Sequence, residues 1–204
     1  ALEPPFITLL ASGGHTAIIY TKSYTDFEIL GSTRDDAAGE AFDKAARVLG
    51  LPYPGGPSIE KLAKQGRASI PFPKMFSGGG YDFSYSGLKT AVINYCHNME
   101  QKGENYSKAD VAASFQSAAC GALAERAVPA PKKKGAAAVV AGGGVAANGY
   151  LRELLANECA KAGLKLVLPE KKFCTDNAAM IAAEGLIQYR AGNFAELSLN
   201  ACAH

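Results

Sequence analysis

Two glycine clusters in this sequence have the makings of a phosphate site. Ser12-Gly13-Gly14 and Gly142-Gly143-Gly144 each follow an apolar, strand-like run. Glycine lets backbone N–H groups come close to phosphate oxygens, and a helix N-terminus nearby adds a favourable dipole. Asn148, just beyond the second cluster, stands where such a helix would start. Either cluster alone reads equally well as a turn. Two of them at corresponding ends of core strands point to a ligand, because open α/β sheets bind ligands beyond the carboxyl ends of their strands.

Three acidic residues have chemical readings beside structural ones. Asp43 falls on a helix face turned away from the core. A carboxylate there can accept two ribose hydroxyl hydrogen bonds, or simply be solvated. Glu60, just after Pro54-Gly55-Gly56-Pro57, has the same two readings. Asp176 precedes the last helix as a natural N-cap, and a hard or borderline metal could also use it. Catalytic metals usually take about three protein ligands. The three histidines, His15, His97 and His204, form no His-x-x-x-His pair. A metal site complete within this sequence is therefore not expected.

Other chemistry finds little support. No Ser-His-Asp set can be placed, and no cysteine has a positioned histidine partner. The five cysteines (Cys96, Cys120, Cys159, Cys174 and Cys202) are odd in number and include no Cys-x-x-Cys pair. Free thiols in a reducing cytoplasm fit this better than a disulfide frame or a structural zinc. Phe83 and Tyr85 could stack on bases or pack a core. Lys132-Lys133-Lys134 reads as a solvated connector. The formal net charge of +2 is too small to attract nucleic acid by itself, so RNA binding would need a local patch.

The elements that must position these residues follow from periodicity. With 48% hydrophobic and 20% charged residues, the 204-residue chain has an ordinary globular balance. No apolar run approaches the ~20 residues of a membrane span. The opening Ala-Leu-Glu-Pro-Pro has no signal core and enters a strand-like run at once, as expected of a piece of a longer chain. Strands are predicted over 6–11, 15–21 and 26–31. A helix follows over 37–49, capped by Asp35 or Asp36 and stopped by Gly50, with Phe42, Ala45, Ala46 and Leu49 facing inward. Residues 51–106, rich in proline and holding Gly78-Gly79-Gly80, read as an inserted, partly helical subdomain. Ser107, with Asp110 three residues on, opens a long helix as a capping-box variant. A buried strand over 136–140, a helix from Asn148 to Gly163, a strand over 164–168 and a last helix to about 191 complete the pattern. The order βββαβαβα predicts an α/β fold, a ribonuclease-H-like lobe of the actin, sugar-kinase and Hsp70 superfamily. Residues 1–50 and 107–196 would form that lobe and 51–106 its insertion.

Taken together, the segments Leu10–Thr16, Asp35–Lys44, Tyr53–Pro57, Phe83–Thr90, Ala141–Asn148 and Cys174–Met180 resemble one family. In that order they are similar to the tRNA threonylcarbamoyladenosine transferases, formerly labelled glycoproteases. The resemblance covers nearly the whole chain. It implies transfer of a threonylcarbamoyl group from its adenylate to the exocyclic amine of the adenosine just 3′ of the tRNA anticodon. It implies tRNA, threonylcarbamoyl-adenylate and accessory subunits, including a paralogous scaffold, as partners. One divalent metal, iron or zinc, is implied as cofactor. By the same resemblance, Leu10, Ala11, Ser12, Gly13 and Gly14 look like the adenylate loop. Asp43 resembles the ribose acceptor, Gly56 lies beside the nucleoside with Glu60 a further candidate, and Asn148 resembles a polar contact. Asp176 resembles the family's single carboxylate metal ligand, and would also cap its helix.

The departures from the family are specific. By the resemblance, its His-x-x-x-His pair is expected upstream of the strand ending at Ser12, in a first lobe outside this sequence. The isolated chain is therefore expected to be inactive. The second glycine loop has a glycine where the family usually has Ala or Leu, and Val128–Ala138 fits the family poorly, with an irregular helix end expected there. A small-molecule kinase lobe of the same superfamily is the alternative reading, against which the Cys-Thr-Asp-Asn and Ser-Gly-Leu-Lys segments speak. A non-catalytic scaffold paralogue is the other, and it would be expected to lose Asp176 and the acidic helix, both present here.

Overall fold

Phe6–Ala11 forms strand β1 at the centre of a mixed sheet. Its side chains alternate, and Ile7, Leu9 and Ala11 are fully buried. Strands β2 (Thr16–Thr21) and β3 (Phe27–Ser32) follow as antiparallel neighbours, with a register irregularity between Ile18 and Ile19. Strand β4 (Ala138–Gly142) lies parallel to β1 on its other side, and β5 (Lys165–Val167) lies parallel to β4. The sheet order is β3-β2-β1-β4-β5. A parallel neighbour requires a crossover, and here the crossover from β3 to β4 carries most of the helices. The structure, a computed structural model, describes residues 2–73 and 80–200. Gly78, Gly79, Cys202 and His204 lie outside them.

The helices are α1 (Ala38–Val48), α2 (Gly55–Ala63), α3 (Ser86–Gln101), α4 (Lys108–Ala127), α5 (Ala130–Lys134), α6 (Gly149–Lys161) and α7 (Ala178–Arg190). The expected inner face of α1 is buried, and Phe42 meets Phe115 of α4 edge to face at 5.1 Å. Expected element ends shift by one or two residues, and β4 runs to Gly142 because it stays paired with β1 as far as Leu10. The Val128–Ala138 stretch forms the short helix α5, ended by Gly135 in the left-handed conformation (φ 70°).

Two expected caps are made differently. The N-cap of α1 is Ala37, with no side-chain bond, and the buried Thr16 hydroxyl accepts from the Ala38 amide at 2.8 Å. Asp36 instead accepts from Lys44 at 2.6 Å. Asp35 turns to the start of α3, where it accepts from the Ser84 and Ser86 hydroxyls and from the Tyr85 amide at 2.7 Å. Ser107 caps α4 as expected, accepting from the Asp110 amide at 3.1 Å. The reciprocal half of the box is replaced, because the Asp110 carboxylate accepts from the Arg67 amide at 2.8 Å.

Residues 51–106 do not enclose a separate core among the described residues. Ile59, Phe83, Tyr85, Leu88 and Val92 belong to the same buried cluster as β1, α1 and α4. Phe83 and Tyr85 are 1% and 0% exposed and stacked on each other, so neither is open to a base. Lys134 is not a purely solvated connector residue, since it pairs with Glu28 at 3.0 Å and lies over the Tyr20 ring. Helix α7 differs from the rest: none of its residues is buried, and Met180, Ile181, Leu186 and Tyr189 are exposed. Among the described residues, no helix is long and apolar enough to cross a membrane.

The Asp35 clip generates a test. Burial opposes ionisation of Asp35, but hydrogen bonds from Ser84, Ser86 and the Tyr85 and Ser86 amides outweigh it and hold the carboxyl below the usual carboxylate range. A depressed folded-state pKa gives stability that is complete above the unfolded value of about 3.9 and fades as pH falls through the folded one. Asp35→Ala should cost about 1–2 kcal/mol at pH 7 in urea unfolding, with the gap to wild type closing as pH drops below that range. Equal stabilities at pH 7 would show that the clip holds nothing.

Candidate active site

The two glycine loops leave the sheet side by side. Ser12 closes the first, its hydroxyl accepting from the His15 amide at 3.0 Å. Gly39, in the first turn of α1, donates to the Ser12 carbonyl at 3.0 Å and packs directly on Gly13. In the second loop Gly143 has φ 91°, and a Cβ there would lie 2.3 Å from the Ala11 carbonyl oxygen. Only glycine fits both the conformation and the contact. A 3-10 turn, Gly144–Ala147, then leads to Asn148, whose Oδ1 caps α6 by accepting from the Leu151 amide at 3.0 Å.

The acidic residues are held by helix starts. Asp43 Oδ1 accepts from the amide of Gly55, the first residue of α2, at 2.7 Å. Glu60 Oε1 accepts from the amide of Gly149, the first residue of α6, at 3.2 Å, and lies 3.5 Å from Lys64 Nζ. Each carboxylate thus meets the positive end of a helix dipole. Each keeps its second oxygen without a hydrogen bond among the described residues. Asn148 spends its amide inward, donating to Gln116 at 2.9 Å, and is 7% exposed.

A cavity of about 510 Å³ collects these parts. Gly13, Asp43, Gly56, Glu60 and Asn148, all expected from the sequence, line it. Leu10, Ala11, Ser12 and Gly14 do not, although Ala11 and Ser12 set the loop that carries Gly13. The walls also include Tyr53, Lys171 and Thr175, which sequence reasoning missed. Tyr53 is 84% exposed at the rim. Lys171 gives no signal in sequence, since it lies in a polar stretch between β5 and α7. Arg152 of α6 brings that stretch to the glycine loop, donating to the Ala146 and Pro169 carbonyls at 3.0 Å each.

Asp176 is exposed and adjoins Thr175 but does not line the cavity. It does not cap α7. The cap is Asn177, the extended residue directly before the helix, which accepts from the Met180 amide at 3.1 Å. Asp176 stands one position too early for that bond, so its carboxylate stays uncommitted among the described residues. These residues contain no group of three or more His, Cys, Asp or Glu side chains able to hold a metal. A single free carboxylate fits one ligand of a metal site completed by other residues. The four described cysteines are not nucleophile candidates: Cys96, Cys120, Cys159 and Cys174 are buried, and burial pushes the Cys120 thiol well up. The arrangement can hold a ligand with hydroxyl groups toward Asp43 and Glu60 and an anionic group toward the glycine loops.

Comparison with known proteins gives a consistent picture. The family model for tRNA N6-adenosine threonylcarbamoyltransferase matches residues 1–183. A protein of that description from Clostridium perfringens is 52% identical over 202 residues, which are 98% of this chain and 60% of the relative. One from Clostridium botulinum is 50% identical over 98% of this chain and 59% of its own length. The chain therefore spans about 60% of the length of the curated relatives it matches. Among solved structures, full-length HypF in a phosphate- and nucleotide-bound form superposes with a TM-score of 0.69 at 14% identity, over 92% of this chain and 34% of that one. HypF of T. kodakarensis gives 0.57 at 20% identity, over 81% and 21%. At these identities the two structures speak for the fold alone.

The contact between the loops is testable through neighbouring glycines. Gly143→Ala should cost at least about 1–3 kcal/mol, from the positive φ and the clash with Ala11. Gly142→Ala, where a Cβ meets nothing within 4 Å, should stay within about 0.5 kcal/mol of wild type. Urea unfolding midpoints decide it, and similar losses at both positions would refute the contact.

Proposed function

The chain belongs to the tRNA N6-adenosine threonylcarbamoyltransferase family, and on that premise we propose that it is the ribonuclease-H-like lobe carrying the adenylate half of that enzyme's site. The sheet order β3-β2-β1-β4-β5, with three antiparallel strands followed by two parallel additions, supports a lobe of the actin and sugar-kinase superfamily. Residues 51–106 are the family-specific elaboration of this lobe, built onto its core. The bare apolar side chains of α7, and the 60% share of the relatives' length, support a lobe that packs against further protein.

The observation that carries the reading is the cavity itself. Residues far apart in sequence, Gly13, Asp43, Gly56, Glu60 and Asn148, converge on one space of about 510 Å³, within the range of small-molecule and cofactor sites. In this reading the free oxygen of Asp43 takes the ribose hydroxyls, with Gly56 and Glu60 beside the nucleoside. The loop from Leu10 to Gly14 faces the phosphate and acyl portion. The glycine amides supply donors that need no reorganisation as charge builds on the leaving phosphate.

The reaction is an acyl transfer without redox change. The adenosine N6 amine of tRNA attacks the carbamoyl carbon, forming a C–N bond. The bond from that carbon to the phosphate oxygen breaks, its electron pair stays on the oxygen, and AMP leaves. The amine proton passes to solvent. This lobe's residues bind and orient the adenylate, so that a weak nucleophile meets it in a fixed pose. Asp176 would supply one ligand to a divalent metal, iron or zinc. When bound, that metal would supply Lewis acidity toward the carbamoyl carbonyl. Accessory subunits, including a paralogous scaffold, belong to the same reading, as does a cytoplasmic location with the tRNA.

Kinetics of the complete enzyme test the assignment. Asp176→Ala should abolish transfer and metal retention while leaving the melting temperature within a few degrees. Asp43→Ala should raise the adenylate KM by about tenfold or more, the worth of hydrogen bonds to a charged group. An Asp176→Ala enzyme that transfers at the wild-type rate would sink the metal role, and an unchanged KM would sink the ribose role.

A further inference from the structure

Two adjacent lysines in the 3-10 turn Lys171–Phe173 are in opposite situations. Lys172 is engaged: its ammonium lies 2.8 Å from a Glu170 carboxylate oxygen and 4.8 Å from the centre of the Phe173 ring. Lys171 makes no ion pair or hydrogen bond with its ammonium among the described residues, and it lines the cavity. Among the described lining residues it is the only cation, whereas Asp43 and Glu60 are the anions.

The charges are also separated. Asp43 and Glu60 are held against Gly55 and Gly149 at the starts of α2 and α6. Lys171 comes from the segment that meets the second glycine loop, where Gly144 faces the Thr175 side chain across 4.0 Å from its Cβ position. Arg152 fixes that segment by bonding both the glycine-loop turn, at Ala146, and Pro169, two residues before Lys171. A free ammonium on a braced turn beside a glycine loop is suited to an anionic group, and an unpaired lysine at a cavity wall costs nothing until a ligand arrives.

We propose that Lys171 is the counter-charge for the phosphate of the bound adenylate, and that it stabilises the electron pair left on the phosphate oxygen when the carbamoyl C–O bond breaks. This rests on the adenylate reading of the cavity. No proton or electron moves to Lys171, because its ammonium acts as a fixed positive charge and donor toward the departing AMP. Arg152 acts on the ligand through Lys171 and Thr175, as a positioning residue.

The experiment is calorimetric titration of the complete enzyme with AMP and, separately, with adenosine, which lacks the phosphate. Lys171→Met should weaken AMP by about tenfold, one charge-assisted contact, and leave adenosine unchanged. Lys171→Arg should restore most of the AMP affinity, and Lys172→Met should behave as wild type. In single-turnover transfer, Lys171→Met should also be slower at saturating adenylate. If Lys171→Met binds AMP as wild type does, or loses AMP and adenosine in equal measure, the proposal is wrong. If the wild-type enzyme binds neither ligand, the adenylate reading itself falls, and the proposal with it.

Discussion

Where β1 and β4 end side by side, the carbonyl of Ala11 and the α-carbon of Gly143 come so close that no side chain could stand between them. Parallel pairing sets this contact. Leu10 lies opposite Gly142, so both strands end at one level and both following loops turn out over the same edge. Gly13 and Gly144 of these loops line the cavity, joined by side chains from helices, Asp43 and Glu60, and from loops, Tyr53 and Thr175. Had the pairing slipped by one residue, every inward side chain of β1 would have turned to the other face. The buried set Ile7, Leu9 and Ala11 holds the register against that slip.

The far wall repeats one device. A carboxylate from one helix accepts the first amide of another, Asp43 with Gly55 and Glu60 with Gly149. At both positions a Cβ on the glycine would strike the acidic residue, at 2.5 Å from the Asp43 Cα and 2.8 Å from Glu60 Oε1. The small residue brings the helix end near enough to hold the charge. Each acid thereby ties two helices together and keeps one oxygen without a hydrogen bond among the described residues, at the cavity wall. The same economy appears at Asp35, where one carboxylate joins the loop before α1 to the start of α3.

Those ties join the described part of the proline-rich middle to the same buried core as β1, α1 and α4. With Tyr85 held by Asp35, the Phe83 and Tyr85 rings are buried in the core, where Arg126 lies 5.2 Å from the Phe83 ring centre and bonds the Asp82 carbonyl. Phe83 and Tyr85 are spent on packing, and the four described cysteines are buried as well. What stays open to chemistry is the cavity with its separated charges and the uncommitted Asp176 beside it.

Much of this was legible in the sequence, because local physics wrote it there. The apolar run of β1, the inward face of α1, the Ser107 and Asn148 caps and the two glycine loops follow from periodicity, capping chemistry and glycine's freedom at positive φ. The motif order that marks the family was also legible, and with it Gly13, Asp43, Gly56, Glu60 and Asn148. Sequence could not decide which partner each polar residue takes. Asp35 sits where an α1 cap should, yet bonds residues about fifty positions away. Asn177 rather than Asp176 caps α7, because the bond requires the residue directly before the helix. Lys171 and Lys172 are identical in type and adjacent, and only the Arg152 brace and the Glu170 pair distinguish them. Hydrogen-bond partners are chosen by what the fold brings within about 3 Å, and that distance is a property of the folded chain alone.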